Sequence, residues 1–485
     1  MSGRTDLAAR RSGLSDAKRE LLAKLARGQA APAPANAIPR RPAGAPAQLS
    51  FAQQRIWFID QLEPGSPAYN IAAALLLSGP LDREALQRSF GEIVRRHEVL
   101  RTTFAMAGGE PVQVIHPRMR MGLSITDLSG LPAAEREAAL REIALDEARR
   151  PFDLGRGPVL RVALVRLARE EHVLLLTVSH VAADGWSMGL LIRELAALYE
   201  AYCAGRPSPL PELPIQYADF ALWQRRHLAG KALEAQLDYW RNQLAGAPPL
   251  LELPTDRPRP AVQSFRGGSL PLEIPPAALD ALKAVAQKEG ATLFMALLAG
   301  FAALLSRYSG QDDVLVGSPV ANRGRAEAEN LLGFFANTLV LRADLSGEPT
   351  FRELLGRVRA MARGAYAHQD VPFERLVEEL QPERHLSYSP LFQVMLVLQN
   401  GPMPPLALHG LTLSALDLDT GTAKFDLLLN VWEEAGGLAG RLEYATDLFD
   451  HDRAERMAGH LAMLLAAAAA EPDRPVSALP LLGER

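Results

Sequence analysis

The spacing of apolar residues divides the chain into a weakly patterned start and a long, regular alternation of helical and extended segments. Leu86, Phe90, Ile93 and Val94 recur at three- and four-residue intervals, which predicts a helix over Leu81–His97 with Asp82 as its cap. Val173–Val178 (VLLLTV) is a continuous apolar run, the pattern of a strand covered on both faces. Helical spacing returns over Met188–Tyr202, where Leu191, Leu195, Leu198 and Tyr202 align. A second patterned block begins near Leu233. It predicts helices over Thr292–Tyr308, about Phe351–Ala367 and about Asp452–Ala470. Strands are expected at Asp313–Gly317, Leu391–Leu398 and Phe425–Val431. Strands and helices alternate in both halves, so the fold class expected is α/β, in two lobes of similar size.

The first part of the chain is different. Ser15–Arg27 reads as a short helix, capped by Ser15 or Asp16, with Leu21, Leu22 and Leu25 on one edge and Gly28 at its end. An Ala/Pro stretch follows (QAAPAPANAIPRRPAGAPAQ), which cannot bury a core. The helix is either a frayed end on a tether or a docking element for an upstream protein. The expected boundaries are 1–48 for this helix and linker, 49–224 and 225–472 for the two lobes, and 473–485 for an outgoing linker.

Composition narrows the function classes. At 485 residues the chain is too long for one ordinary core. Its hydrophobic share of 48% and charged share of 22% are those of a globular protein. The net charge is −4, with no basic surplus for nucleic acid. Cys203 is the only cysteine, which removes an internal disulfide framework and fits a reducing cytoplasm. The arginines near the start are not followed by an apolar signal core. The longest apolar stretch, Leu461–Ala470, falls short of the roughly 20 residues of a membrane span. A cytoplasmic protein without membrane or nucleic-acid partners is the expectation.

The candidate chemistry lies in VLLLTVSHVAADGWSM. If the strand runs to His180, alternation puts Leu174, Leu176, Val178 and His180 on one face and turns Ser179 to the other. A histidine at a strand end is held by the sheet while its ring projects beyond it. With an ordinary pKa near 6.5, imidazole suits a general base or hydrogen-bond acceptor. It also suits a purely structural strand end. Asp184, just before a helix starting near Trp186 or Ser187, reads first as a helix cap and second as the partner of an arginine. Gly185 permits close approach of a ligand. No nucleophile elbow, Walker loop, dinucleotide fingerprint or HExxH zinc motif is present, and His97, His116, His172 and His227 lack metal-site spacing.

SHVAADG resembles the HHxxxDG signature of the chloramphenicol-acetyltransferase-like superfamily, and further segments resemble the condensation domains of non-ribosomal peptide synthetases in order. They are SFAQQRIWFIDQL (Ser50–Leu62), RRHEVLRTTF (Arg95–Phe104), YADFALW (Tyr217–Trp223), LGFFANTLVLR (Leu332–Arg342), HQDVPFE (His368–Glu374) and a weakened RHLSYSPLFQVM (Arg384–Met395). The final ALPLLGER resembles the linker towards an adenylation domain.

The resemblance implies two chloramphenicol-acetyltransferase-like lobes in a V-shaped pseudo-dimer around a central tunnel. It implies amide formation between a donor acyl or peptidyl thioester and the amine of an acceptor aminoacyl thioester. Upstream and downstream peptidyl carrier proteins would deliver both on phosphopantetheine arms, with no cofactor held by the domain itself, which is expected to be monomeric when excised. His180 matches the functional second histidine of the signature. Asp184 matches the structural aspartate, with Arg323 in GSPVANR as candidate partner, and Gly185 matches the glycine beside the donor route. Trp186, Ser187 and Asn337 are candidates to line the tunnel, Asn337 being equally plausible as a turn amide.

The chain departs from the family pattern at Ser179, which replaces the first histidine. It departs again at His385, Tyr388 and Ser389, where Asp, Arg and Asn are usual. Arg55 and Arg101 read as structural ion-pair or capping groups, and Trp57, Trp223 and Phe334 as packing. An epimerase or heterocyclisation relative is disfavoured by its missing motifs. The alternatives kept open are a starter domain that N-acylates the first amino acid from fatty acyl-CoA, and a degenerate carrier-binding scaffold.

Overall fold

A computed structural model of the chain describes residues 37–42, 45–62, 64–383, 385–399, 407–416, 421–434 and 436–481. The expected Ser15–Arg27 helix, most of the Ala/Pro linker, Arg384 and the final four residues lie outside the described residues.

The earlier half of the chain starts with α1 (Phe51–Leu62), β1 (Asn70–Ser78) and α2 (Arg83–Arg96). A separate hairpin, β2 (Thr102–Ala107) and β3 (Glu110–Ile115), precedes β4 (Leu123–Asp127) and α3 (Ala133–Arg149). Then come β5 (Leu160–Ala168), β6 (Glu171–Ser179), α4 (Gly185–Cys203) and α5 (Tyr217–His227). The later half holds α6 (Lys231–Leu244), β7 (Gly267–Ile274), α7 (Pro276–Lys288), α8 (Leu293–Ser309) and β8 (Asp313–Val320). It continues with a short α9 (Ala326–Glu329), β9 (Asn337–Asp344), α10 (Phe351–Ala367), α11 (Phe373–Leu380) and β10 (Val394–Gln399). The remainder is β11 (Ala407–Leu408), β12 (Leu411–Leu416), β13 (Leu427–Glu434), β14 (Gly437–Ala445) and α12 (His451–Ala470).

Among the described residues the chain builds two six-stranded mixed sheets, in the orders β11-β12-β1-β6-β5-β4 and β7-β14-β13-β10-β8-β9. β6 sits between β1 and β5, antiparallel to both, which is why its sequence is apolar at successive positions. Leu174, Leu176 and Val178 enter the core shared with α2 and α4, while Val173 and Leu175 enter a smaller core with α3. In the later half α8 is apolar nearly all round because it is buried nearly all round. Thr292 caps it by accepting from the Met295 amide, and Gly310, at φ 74°, ends it in the left-handed region.

Two segments depart from the boundary expected after residue 224. β12 pairs antiparallel with β1, so residues 407–416 extend the first sheet. Ala328, Leu331, Leu332 and Phe335 enter the first core, where Phe335 meets Tyr217 and Phe220 at ring-centroid distances of 5.0 and 4.5 Å. These pairings bury apolar surface from both halves together, a long-range choice that local periodicity does not encode. The second segment, running from Arg323 to Ala336, carries later-half groups to the end of β6.

Candidate active site

β6 ends at Ser179, one residue short of the expected strand end, because the Ala182 amide donates to the Ser179 carbonyl and turns the chain into α4. His180 is nevertheless anchored as a strand residue would be. Its amide donates to the Tyr69 carbonyl at 2.8 Å, one step beyond the paired Asn70 and Ser179. The Phe334 ring packs against the imidazole at 4.8 Å. Nδ1 is buried and makes no hydrogen bond, and no described residue hydrogen-bonds Nε2. Burial, then the positive charge of Lys424 and also that of Arg55, push the imidazole down to about 3, against an opposing contribution from the Ala183 backbone. His180 is therefore a neutral ring with one open nitrogen.

Asp184 organises the turn after it. One carboxylate oxygen accepts from the Ser187 amide and hydroxyl, both at 2.8 Å, which caps α4. The other accepts from the Phe335 and Ala336 amides at 3.0 and 3.2 Å. Arg323 reaches the same carboxylate at 3.2 Å and the Ser187 hydroxyl at 2.8 Å. Its other terminal nitrogen donates to the carbonyls of Ala328 and Leu331. Every oxygen of the buried carboxylate is satisfied, and the network binds the start of α4 to the 323–336 segment. Phe334 thereby stands beside His180.

The remaining candidates fall in distinct places. Ser179 is buried and lines a small cavity with Ile56, Tyr69, Phe152 and Leu154. Gly185 opens α4, and a Cβ built on it meets nothing within 4 Å. Trp186 is 47% exposed, with its indole N–H on the Glu329 carbonyl at 3.1 Å. Ser187 and Asn337 do not line open space. Ser187 is fully buried in the Asp184 network and bonds the Gly333 carbonyl. Asn337 donates to the carbonyls of Gln369 and Val371 and accepts from the Phe373 amide, so its whole amide holds the HQDVPFE turn. Arg55 pairs with Glu374 at 3.1 Å, joining α1 to α11. Arg101 donates to the His116 carbonyl. Trp57 and Trp223 pack at the edge of the first core. His385 stacks on Tyr388, which also faces the guanidinium of Arg259.

Three groups at the site were not singled out in this role from the sequence. They are Tyr69, Phe334 as the neighbour of the imidazole, and Lys424. Lys424 sits just before β13, and its ammonium lies 4.9 Å from the centroid of the Tyr69 ring. Burial, together with the Arg55 charge and against Glu443, pulls this ammonium down to about 8. The signal available was the isolated lysine in the apolar run AKFDLLL, which alternation alone leaves as a surface residue.

A two-sheet α/β fold with a histidine at the end of the first sheet's central strand, facing a segment from the other half, is the architecture of a condensation domain. The family model for the condensation domain matches residues 45–485, and the chain belongs to that family, as found in non-ribosomal peptide synthetases. It is 54% identical over 439 residues to one of the linear gramicidin synthase proteins of Brevibacillus parabrevis, covering 90% of this chain and 6% of that protein. The chain thus spans a small part of the synthetase it matches. Among solved structures it resembles the X-domain in complex with OxyB from teicoplanin biosynthesis, at TM-score 0.82 and 32% identity, covering 93% of this chain and 99% of that one. It also resembles holo-AB3403, a four-domain nonribosomal peptide synthetase bound to AMP and glycine, at TM-score 0.81 and 26% identity, covering 90% of this chain and 34% of that one. Among the described residues no single helix is long and apolar enough to cross a membrane.

Proposed function

We propose that this domain forms an amide between a donor acyl or peptidyl thioester and the amine of an acceptor aminoacyl thioester. Both would arrive on the phosphopantetheine arms of carrier proteins, with an adenylation domain as neighbour in the synthetase. The observation that carries the reading is the neutral His180 imidazole with its open Nε2, fixed by the Tyr69 carbonyl and the Phe334 ring.

The amine nitrogen attacks the thioester carbonyl carbon, the C–N bond forms, and the C–S bond breaks. The proton lost by nitrogen ends on the departing thiol, so no other reactant is needed. A strong base is unnecessary, because an α-amine has a pKa of about 8 and is partly neutral at working pH. An imidazole whose pKa lies far below that pH is a weak base but a good hydrogen-bond acceptor. His180 therefore aligns the amine by accepting its N–H at Nε2, and most of the rate comes from holding both thioesters in reacting geometry, a gain of about 7–11 kcal/mol. Asp184, Arg323 and Ser187 keep the turn rigid, and Gly185 leaves room at its start.

The starter reading differs only in delivering the acyl group from CoA. The scaffold reading draws on Ser179 and on the likeness to an X-domain solved in complex with OxyB. One experiment separates all three. Product mass is measured with loaded acceptor carrier, either a loaded donor carrier or acyl-CoA, and wild type against His180→Ala. Amide from the donor carrier that is lost in the variant supports condensation. Amide from acyl-CoA alone supports the starter, and no product from either donor leaves the scaffold.

A further inference from the structure

Lys424 is placed like a working group. Its backbone is pinned, since the Lys424 carbonyl accepts from the Gln263 side chain at 3.0 Å and the Ala423 amide donates to Phe265 at 2.9 Å. Its ammonium, by contrast, makes no hydrogen bond to any described residue and rests on the face of Tyr69, 4.9 Å from the ring centroid. Tyr69 is the residue whose carbonyl holds His180. One residue thus holds the His180 backbone through its carbonyl and meets the ammonium with its ring. Partly burying an ammonium without a hydrogen-bond acceptor is unfavourable unless something else supplies one.

The surrounding charges do not neutralise it. Around His180 stand Arg55 from α1, Lys424 from the segment before β13, the Phe334 ring, Tyr69 and the Ala183 backbone. The carboxylates nearby are engaged elsewhere or act at a distance. Glu374 is paired with Arg55, Asp184 with Arg323, and Glu443 acts on Lys424 through space. Among the described residues, the charges that act on the His180 ring are accordingly the positive ones of Lys424 and Arg55.

From this geometry we infer that Lys424 is a second substrate-facing group of the reaction centre, donating Nζ–H to the thioester carbonyl oxygen as it becomes the oxyanion. This rests on the amide-forming reading above and deepens it. When the amine attacks, the C=O π pair moves onto oxygen, where Lys424 meets it. When that pair returns, the C–S bond breaks and the donor thiol leaves. Lys424 keeps its own proton throughout. The same ammonium adds to the burial that keeps His180 neutral, so that the imidazole accepts from the amine.

The test is a single-turnover two-carrier assay on wild type, His180→Ala, Lys424→Met, Lys424→Gln and Lys424→Arg, with an NMR titration of the His180 ring. Loss of one oxyanion donor lowers such a step about 10²–10³-fold. We expect that loss in Lys424→Met, unchanged affinity for both loaded carriers, and recovery to within about tenfold in Lys424→Arg, which keeps charge and donor. His180 should titrate at higher pH in Lys424→Met, which a merely structural lysine would not cause. Lys424→Gln decides if the Met variant does not fold. Wild-type rates in the neutral variants, with His180→Ala inactive, overturn the role of Lys424 and leave the amide-forming reading standing. Equal losses in the Met, Gln and Arg variants with an unmoved His180 titration also overturn it. Absence of amide from wild type overturns both.

Discussion

Arg323 and Asp184, 139 residues apart in the chain, meet at 3.2 Å with both side chains 2% exposed. The pair fixes the segment of the later half that carries Phe334 to His180. Removing one member leaves the other charge buried, which costs about 3–5 kcal/mol. Asp184→Ala should lower stability by that amount in urea denaturation and reduce amide formation with it. The double variant Asp184→Ala, Arg323→Met should lose less than the sum of the single losses, since no charge is left unpaired.

Gly333 is the tightest point of the same segment. A Cβ there would lie 1.9 Å from the Tyr217 ring, whose hydroxyl is held by Ser50 and the Phe334 carbonyl. The ring cannot swing aside without losing both bonds. Gly333→Ala should cost about 1–3 kcal/mol, the range for overpacking a well-filled core. Thermal denaturation reads it, and a Tyr217→Leu background should recover part of the loss.

Asn337 spends its side-chain amide on the backbone of the 369–373 turn. Asn337→Ala strands the carbonyls of Gln369 and Val371 and the amide of Phe373. A loss of about 1–3 kcal/mol is expected. The apparent KM for each loaded carrier should stay unchanged at a temperature where the variant is folded. A raised KM without a stability loss would return Asn337 to the substrate path.

His180 also sets a pH dependence of stability. Its folded pKa of about 3 lies below the ordinary 6.5, so between these values the unfolded chain binds the extra proton. The contribution is fully present above about 6.5 and is lost as pH falls towards 3. Urea midpoints of wild type should therefore drop more between pH 7.5 and pH 5 than those of His180→Gln. Parallel curves would mean that the ring is not held neutral.

Gly185 opens towards space that a side chain would fill. Gly185→Leu should leave the denaturation midpoint nearly unchanged, yet slow amide formation more than about tenfold by displacing the donor from reacting geometry. Equal rates for the two proteins would place the donor route elsewhere.

The sequence by itself determined several of the principal helices and strands and their order. Helix periodicity, the Asp82 cap and the apolar run of β6 are encoded within a few neighbouring residues, so Arg83–Arg96, Leu293–Ser309 and Glu171–Ser179 appear close to where the pattern put them. The segment bearing His180 and Asp184 was legible for the same reason, as a strand end followed by a helix cap. Only the tertiary structure decided that β12 joins the first sheet, that Asn337 and Ser187 turn inward, and that Tyr69, Phe334 and Lys424 gather around His180. Those relations join residues far apart in sequence, and the charge state of the imidazole depends on burial that exists only once both lobes have closed around it.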